Sequence, residues 1–312
     1  MSTRPDAPRP DAMRPDGLRP VSIGIKTSPQ NVDWATLDGA WAAIGRSGAF
    51  DAVWMSDHLT NMDPDDPGPS FEALTTAAAL AHHVRGMWIG HAVLSNTFRY
   101  PAVLAKAATV MDHATGGRFI LGIGAGWYEG EHEPFGLDLP PMGERIDRLV
   151  SAVEVLVAMG SADAAHLPGV TRDDPHYPLA GATNMPPPRT PGGPPIWLGG
   201  QGPRGIALAA RYAAGWVLPG GNAGDVDYFI EKRDALARAL EDVGRDPRTF
   251  DLGAQVTAGT TAKDHRDAVE VSLRFIDAGA SHLLIGMPSS QGGPGVEVVA
   301  REIAEPLRRR LG

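Results

Sequence analysis

Asp57 and His58 follow directly on a short apolar run at 52–55, which sets a carboxylate beside the side chain that titrates nearest neutrality. At the end of a buried strand such a pair suits proton donation or charge stabilisation; a lone histidine is more often a hydrogen-bonded part of the fold. A second candidate stretch, 118–136, reads RFILGIGAGWYEGEHEPFG, and in it Glu129, Glu131, His132 and Glu133 follow glycines 122, 124 and 126. A third is Ser95-Asn96-Thr97-Phe98-Arg99-Tyr100, again after an apolar run. The fourth, Gly199-Gly200-Gln201-Gly202-Pro203-Arg204, opens a helix. Its glycines expose unpaired N–H groups, and the helix dipole favours an anion there. Arg204 could add a bidentate phosphate contact, although a tight turn with a surface arginine is the plainer reading.

Other chemistries fit less well. The glycines at 122–126 run G-x-G-x-G with Trp127 where a dinucleotide fingerprint needs a third glycine or alanine, and an acidic loop follows instead of a helix. His82-His83 and Glu131-His132-Glu133 invite a metal, yet neighbouring residues do not share a helix face and no His-x-His lies on a strand, so no metal site is expected. There is no cysteine and no G-x-S-x-G elbow, which leaves out thiolate chemistry and the common serine hydrolases. A net charge of -9 argues against nucleic acid as a partner. No apolar run reaches membrane length and the N-terminus lacks a secretory core, so the expectation is a cytoplasmic protein without a membrane partner.

The elements that must position these residues alternate. Apolar runs at 21–25, 52–55, 87–94, 119–124, 196–198, 215–218, 250–257 and 282–285 predict eight strands. Helical patterns fall between them, at 34–46, 71–84, from Pro101, through Ile146–157, 203–213, 225–243, 264–277 and around 296–307. Eight βα units make a closed (β/α)8 TIM barrel the economical fold, with an open doubly wound sheet as the alternative; closure hides every strand edge. In a barrel all four candidate stretches stand at strand C-termini, where barrel sites are built. The connection 160–194 is long and rich in proline and glycine, and is expected to form a lid or pocket wall among the insertion loops. Residues 1–20, with their Arg-Pro-Asp repeats, are expected to be a disordered tail ahead of a barrel domain at 21–312.

Taken together, several motifs resemble the luciferase-like monooxygenase superfamily, in its branch that uses coenzyme F420. They are Val53-Trp54-Met55-Ser56-Asp57-His58-Leu59, Thr97-Phe98-Arg99-Tyr100-Pro101, Gly116-Gly117-Arg118 through Gly126-Trp127, and Pro194-Pro195-Ile196-Trp197-Leu198-Gly199-Gly200. The likeness runs in the same order over about residues 21–310. It implies a deazaflavin held at the strand ends, with its phosphate tail toward Gly199, Gly200, Gln201, Gly202 and Arg204. It also implies a bulged third strand with a non-prolyl cis peptide at Ala92-Val93 behind the ring, and ring contacts from Asp57, Ser95 and Gly126. His58 would stand at the reactive carbon. Where some relatives carry a glutamate proton donor after the glycine run, this chain has Trp127, a candidate wall of the substrate pocket; the donor would then be Glu131 or His58 alone. The resemblance implies hydride transfer to or from a small organic substrate, by reduction of C=N or C=C or oxidation of an alcohol, in a homodimer. The alternatives are an FMN-dependent monooxygenase on the same barrel and a cofactor-binding protein without turnover.

Overall fold

The computed structural model describes residues 20–63, 65 and 68–311. The expected tail therefore lies, apart from Pro20, outside the described residues. In chain order the elements are β1 (Ser22–Thr27), α1 (Trp34–Ser47), β2 (Ala52–Met55), α2 (Ala73–Leu80), β3 (Trp88–His91), β4 (Leu94–Ser95), α3 (Pro101–Ala114) and β5 (Phe119–Gly124). Then come α4 (Met142–Gly160), β6 (Val170–Arg172), β7 (Leu179–Ala182), β8 (Ile196–Leu198), α5 (Pro203–Tyr212), β9 (Gly215–Val217) and α6 (Val226–Asp242). The chain finishes with β10 (Asp251–Thr257), α7 (Ala262–Asp277), β11 (His282–Gly286), α8 (Gly292–Val299), a π turn at Ala300–Ala304, and α9 (Glu305–Leu311).

The strands pair in the order β3-β2-β1-β11-β10-β9-β8-β5-β4, and β3 also pairs with β5, so the sheet closes on itself. Every pairing in the ring is parallel. With β3 and β4 taken as one interrupted strand this is a (β/α)8 TIM barrel, and the open sheet is excluded.

The run expected to be continuous at 87–94 breaks where Ala92-Val93 is cis. Gly90 is opposite Ile120 and Leu94 opposite Ile123, so this strand spends one residue more than β5 over the same span, a bulge. Two other expectations shift. The helix expected at 71–84 is α2 followed by a 3-10 turn, and the last helix carries a π turn.

Strand alternation sends one set of side chains into the barrel and the other toward the helices. The interior set is Trp54, Trp88, Ile120, Trp197, Val217 and Leu284, which pack apart from the larger core beneath the helices. Trp54 and Trp197 meet with ring centroids 5.2 Å apart. Such bulk needs bare backbone opposite: a Cβ on Gly90 would lie 2.5 Å from the Trp54 ring, and one on Gly215 would lie 2.5 Å from Trp197. The barrel below the mouth is filled, so a ligand can enter only from its C-terminal end.

The 160–194 connection holds the antiparallel hairpin β6–β7. It is tied mainly to the outer helices. Asn184 is buried against Thr109 of α3 and the Met159 carbonyl of α4, and Asp112 accepts from the Thr190 amide at 2.6 Å. Tyr177 reaches the mouth side, where its hydroxyl meets Asn96 Nδ2 at 3.3 Å. The segment is a brace with one pocket-wall residue rather than a lid over the mouth.

Candidate active site

β2 ends at Met55, and the polar turn that follows carries both residues of the Asp-His pair to the C-terminal rim. They do different work there. Asp57 is 4% exposed and fully engaged: Oδ2 accepts from the Ser95 amide at 2.7 Å and from Arg99 Nη1 at 2.6 Å, and Oδ1 accepts from Arg99 Nη2 at 2.8 Å. The carboxylate thus locks the end of β2 to β4 and to the start of α3. Arg99 also donates to Glu72, which in turn accepts from the Thr75 amide and hydroxyl and caps α2. Burial works against the charge of Arg99, but hydrogen bonds and attraction from Asp57, then Glu72, outweigh it and push its pKa further up. Burial alone would raise Glu72; the bonds from Arg99 and Thr75 win and bring it down to about 2. Below this cluster His91 is wholly buried, and desolvation lowers its pKa to about 4, against partial compensation from Asp57.

His58 is held from the other side. Its Nδ1 lies 3.1 Å from Glu131 Oε1 and 3.3 Å from Oε2, while the Leu59 amide donates to Oε2 at 2.9 Å. Glu131 is 2% exposed, so it reaches the rim only through the imidazole. An ionised carboxylate can only accept, which fixes the proton on Nδ1. Nε2 has no hydrogen-bond partner among the described residues. Trp127, 62% exposed, stands edge-on to this ring with centroids 5.8 Å apart, and Tyr128 lies 6.3 Å away on the same loop. Trp127 therefore borders the His58 ring.

A hydroxyl chain lines the next part of the rim. Ser95 Oγ and Thr97 Oγ1 are 2.6 Å apart, Thr97 Oγ1 is 2.8 Å from His132 Nε2, and His132 Nδ1 donates to the Tyr128 carbonyl at 2.7 Å. Gly126 closes on this chain with φ +79°, and a Cβ there would fall 2.6 Å from Thr97 Oγ1 and 2.7 Å from Ser95 Oγ. Only glycine meets both demands. Arg145 of α4 pins the same turn by donating to the Gly126 carbonyl at 2.6 Å. Beside it a cavity of about 190 Å³ is lined by Asn96, Thr97, Arg99, Tyr100, Arg145 and Tyr177.

The glycine-rich turn after β8 sits across the rim. A Cβ on Gly124 would lie 2.8 Å from Val93 Cγ2, and one on Gly199 would lie 3.5 Å from it, so the bulge turns Val93 between the ends of β5 and β8. Gly200 accepts from Trp216 Nε1 at 2.9 Å, and Gly202 caps α5 with Pro203 at its first turn. Gln201 bonds to the Tyr228 hydroxyl. Arg204 does not face the rim: it pairs with Asp147 and lies 3.3 Å from the Gly143 carbonyl, an exposed contact to α4. Any anion at this helix start would meet backbone N–H groups first, and Arg204 only after leaving Asp147.

The structure brings together His58, Glu131 and Trp127 at one side of the mouth, and Ala92, Val93, Ser95, Gly126, Gly199 and Gly200 around the bulge. It sets Asp57 beneath both as an anchor. Sequence reasoning missed Glu72 and Arg145 as members of the candidate site; Thr97, Arg99 and His132 stood in candidate stretches but carried no assigned role. Among the described residues no three His, Asp or Glu side chains gather as metal ligands, and no helix is long and apolar enough to cross a membrane.

A closed parallel barrel with a bulged third strand and a carboxylate-held histidine at its C-terminal mouth defines a (β/α)8 protein with a candidate site at that face. The family profile described as luciferase-like monooxygenase matches residues 31–310, and the chain belongs to that family. It is 32% identical over 224 residues to an F420-dependent glucose-6-phosphate dehydrogenase of Microbacterium testaceum (strain StLB037), covering 71% of this chain and 63% of that protein. It is 30% identical over 242 residues to a phthiodiolone/phenolphthiodiolone dimycocerosates ketoreductase of Mycobacterium sp. (strain JLS), covering 72% of this chain and 61% of the relative. The match thus spans under two thirds of the length of either relative. The fold is similar to an F420-dependent secondary alcohol dehydrogenase solved with an F420-acetone adduct, with TM-score 0.75, 19% identity and 91% and 98% of the two chains covered.

Proposed function

We propose that this protein is an F420-dependent oxidoreductase that moves a hydride between the deazaflavin and a small organic substrate, reducing C=N or C=C or oxidising an alcohol. The observation that carries this reading is the His58–Glu131 pair at the end of β2, which holds Nδ1 and leaves Nε2 without a partner among the described residues. The names of the two relatives, a dehydrogenase and a ketoreductase, support it.

The residues present fit such a cofactor. The bulge at Ala92-Val93, Ser95 and Gly126 lie together at the rim, and Gly126 admits no Cβ beside the Ser95 and Thr97 hydroxyls, so the backbone there is open to a flat ring. The tail phosphate would be taken by the turn Gly199, Gly200, Gln201 and Gly202 and the start of α5. When bound, F420 supplies the two-electron hydride chemistry. The chain supplies the rest. His58 Nε2 holds or moves a proton at the substrate heteroatom, and Glu131 keeps Nδ1 protonated and stabilises the imidazolium. Asp57, through Arg99 and Ser95, fixes where His58 and the bulge stand relative to each other. Trp127 walls the substrate side. Glu131 acts here through His58 and not as a separate acid.

The test is a binding titration of the full chain with F420 and with FMN, followed by a screen of alcohols, carbonyl compounds, imines and enones. Bleaching of oxidised F420 by a substrate is expected. Oxygen consumption with reduced FMN, and no F420 binding, would move the assignment to a monooxygenase.

A further inference from the structure

One charge on the floor of the mouth has no role in the site above. Lys26 stands two residues beyond Gly24 on β1, and a Cβ on Gly24 would touch the interior Trp54 ring, so Lys26 shares the inward face. Its partners in register are Trp54 of β2 and Gly286 of β11. Lys26 Nζ donates to Gln255 Oε1 at 2.7 Å, and Gln255 is itself oriented by donating to the Leu218 carbonyl at 2.7 Å. That amide oxygen is the ammonium's single hydrogen-bond partner among the described residues, and no described carboxylate pairs with it.

The setting is unlike that of the other three lysines. Lys232 and Lys263 pair with Glu231 and Asp267, and Lys106 donates to the Met185 carbonyl, all at the outer surface. The cations near the mouth are also committed: Arg99 to Asp57 and Glu72, Arg145 to the Gly126 carbonyl, Arg204 to Asp147. A desolvated cation without a counter-ion is unfavourable, and burial lowers the pKa of Lys26 to about 8. The arrangement gains most when an anion arrives from outside. The ammonium lies toward β10 and Gly220, and in the ring order β10 is opposite the bulged third strand. A ring resting on Ala92-Val93 would therefore leave Lys26 on its far side, where a substrate sits.

We propose that Lys26 is the specificity residue of the mouth, and that it pairs with a carboxylate or phosphate group on the substrate. The placement of the substrate beyond the ring rests on the function proposed above; the recognition of an anion by Lys26 does not. A lysine is a compact point charge that accepts either anion, with Gln255 holding it in place. The substrates selected are then anionic carbonyl, imine or alcohol compounds rather than neutral ones.

The test is trace acetylation of the full chain followed by peptide mass spectrometry, with and without F420. Inorganic phosphate and acetate serve as probes, against chloride at equal ionic strength. Lys232 and Lys263 are internal controls. Phosphate or acetate is expected to slow acetylation of Lys26 alone, in a saturable way. With anion binding followed by isothermal titration of wild type and variant, Lys26→Gln is expected to weaken it by about thirtyfold or more while leaving the affinity for F420 within about twofold. Equal acetylation rates in all three salts would overturn the proposal. So would a Lys26→Gln variant that loses F420 affinity to the same degree, because the counter-ion would then belong to the cofactor. Failure of the wild-type chain to bind F420 sinks the proposed function alone, since anion protection is read separately in its absence.

Discussion

Glu131→Gln is the sharpest test of the His58 arrangement, because it changes one proton and almost no volume. In the native protein both carboxylate oxygens accept, one chiefly from Nδ1 of His58 at 3.1 Å and the other from the Leu59 amide at 2.9 Å. A glutamine has a single oxygen. If it stays on the Leu59 amide, its NH2 faces Nδ1, the ring proton moves to Nε2, and the imidazolium loses its counter-charge. If the amide flips, two donors meet at Leu59, an unsatisfied pair that costs about 1–3 kcal/mol in a buried setting. The first outcome is the cheaper, so the wrong tautomer is expected. Loss of acid-base assistance then lowers kcat by roughly a hundred- to ten-thousand-fold, or about 3–5 kcal/mol of barrier, with little change in F420 affinity. The measurements are ¹⁵N shifts of the His58 ring, F420 binding by fluorescence, and kcat with the best substrate of the screen. A variant whose ring keeps the proton on Nδ1, or whose kcat stays within about threefold of wild type, refutes the reasoning.

Three more outcomes follow from the anchor beneath the site. The imidazole of His91 titrates near 6.5 when unfolded but only near 4 when folded, so between those values the unfolded chain binds more protons and stability is lost as pH falls. From pH 6.5 to pH 5 the loss is about 2 kcal/mol, and urea midpoints of His91→Gln should lack that slope; parallel slopes would show that His91 is not the sensor. Arg99→Met strands the buried Asp57 carboxylate and should cost about 3–5 kcal/mol, with much of it regained in the Asp57→Asn, Arg99→Met double variant; additive losses would mean the pair is not coupled. Gly126→Ala forces a side chain into the left-handed region and into the Ser95–Thr97 hydrogen bond. It should destabilise by about 2–4 kcal/mol and weaken F420 binding, and an alanine tolerated on both counts would remove Gly126 from the site.

The barrel was legible because its signals are local and repeated. Apolar runs followed by helical stripes recur eight times, and Pro101 and Pro203 mark helix starts as expected. What escaped were departures with no local signature. The break at Ala92-Val93 lies in an unremarkable apolar run, and the bulge shows only in the register against β5, which no window of one strand contains. It came into view only through a family resemblance. The composition of the 160–194 segment predicts a lid or pocket wall, and of its residues only Tyr177 lines the cavity described above. Its actual ties, Asn184 to Thr109 and Asp112 to Thr190, span 75 and 78 residues and so leave no trace in spacing.

The site was legible in its members and not in their roles, and the reason is directional. Adjacent residues in an extended turn point to opposite sides. Asp57 therefore goes down, into Arg99 and Ser95, and His58 goes across, to Glu131; a sequence presents them as one pair, and the fold uses them as two. The same holds for Glu131-His132. The carboxylate serves His58, and the imidazole serves Thr97 and the Tyr128 carbonyl, so what reads as a metal-like cluster is two separate hydrogen-bond assignments. Lys26 was passed over for the opposite reason: a single lysine inside a strand of Ser, Ile, Gly and Thr reads as solvent-facing. Only the interior tryptophan beside Gly24 reveals that its face is the inward one. Once that is known, the charge balance of the mouth becomes informative. Each arginine near the mouth has a described partner, a carboxylate or a backbone carbonyl, whereas Lys26 has only the Gln255 amide oxygen among the described residues.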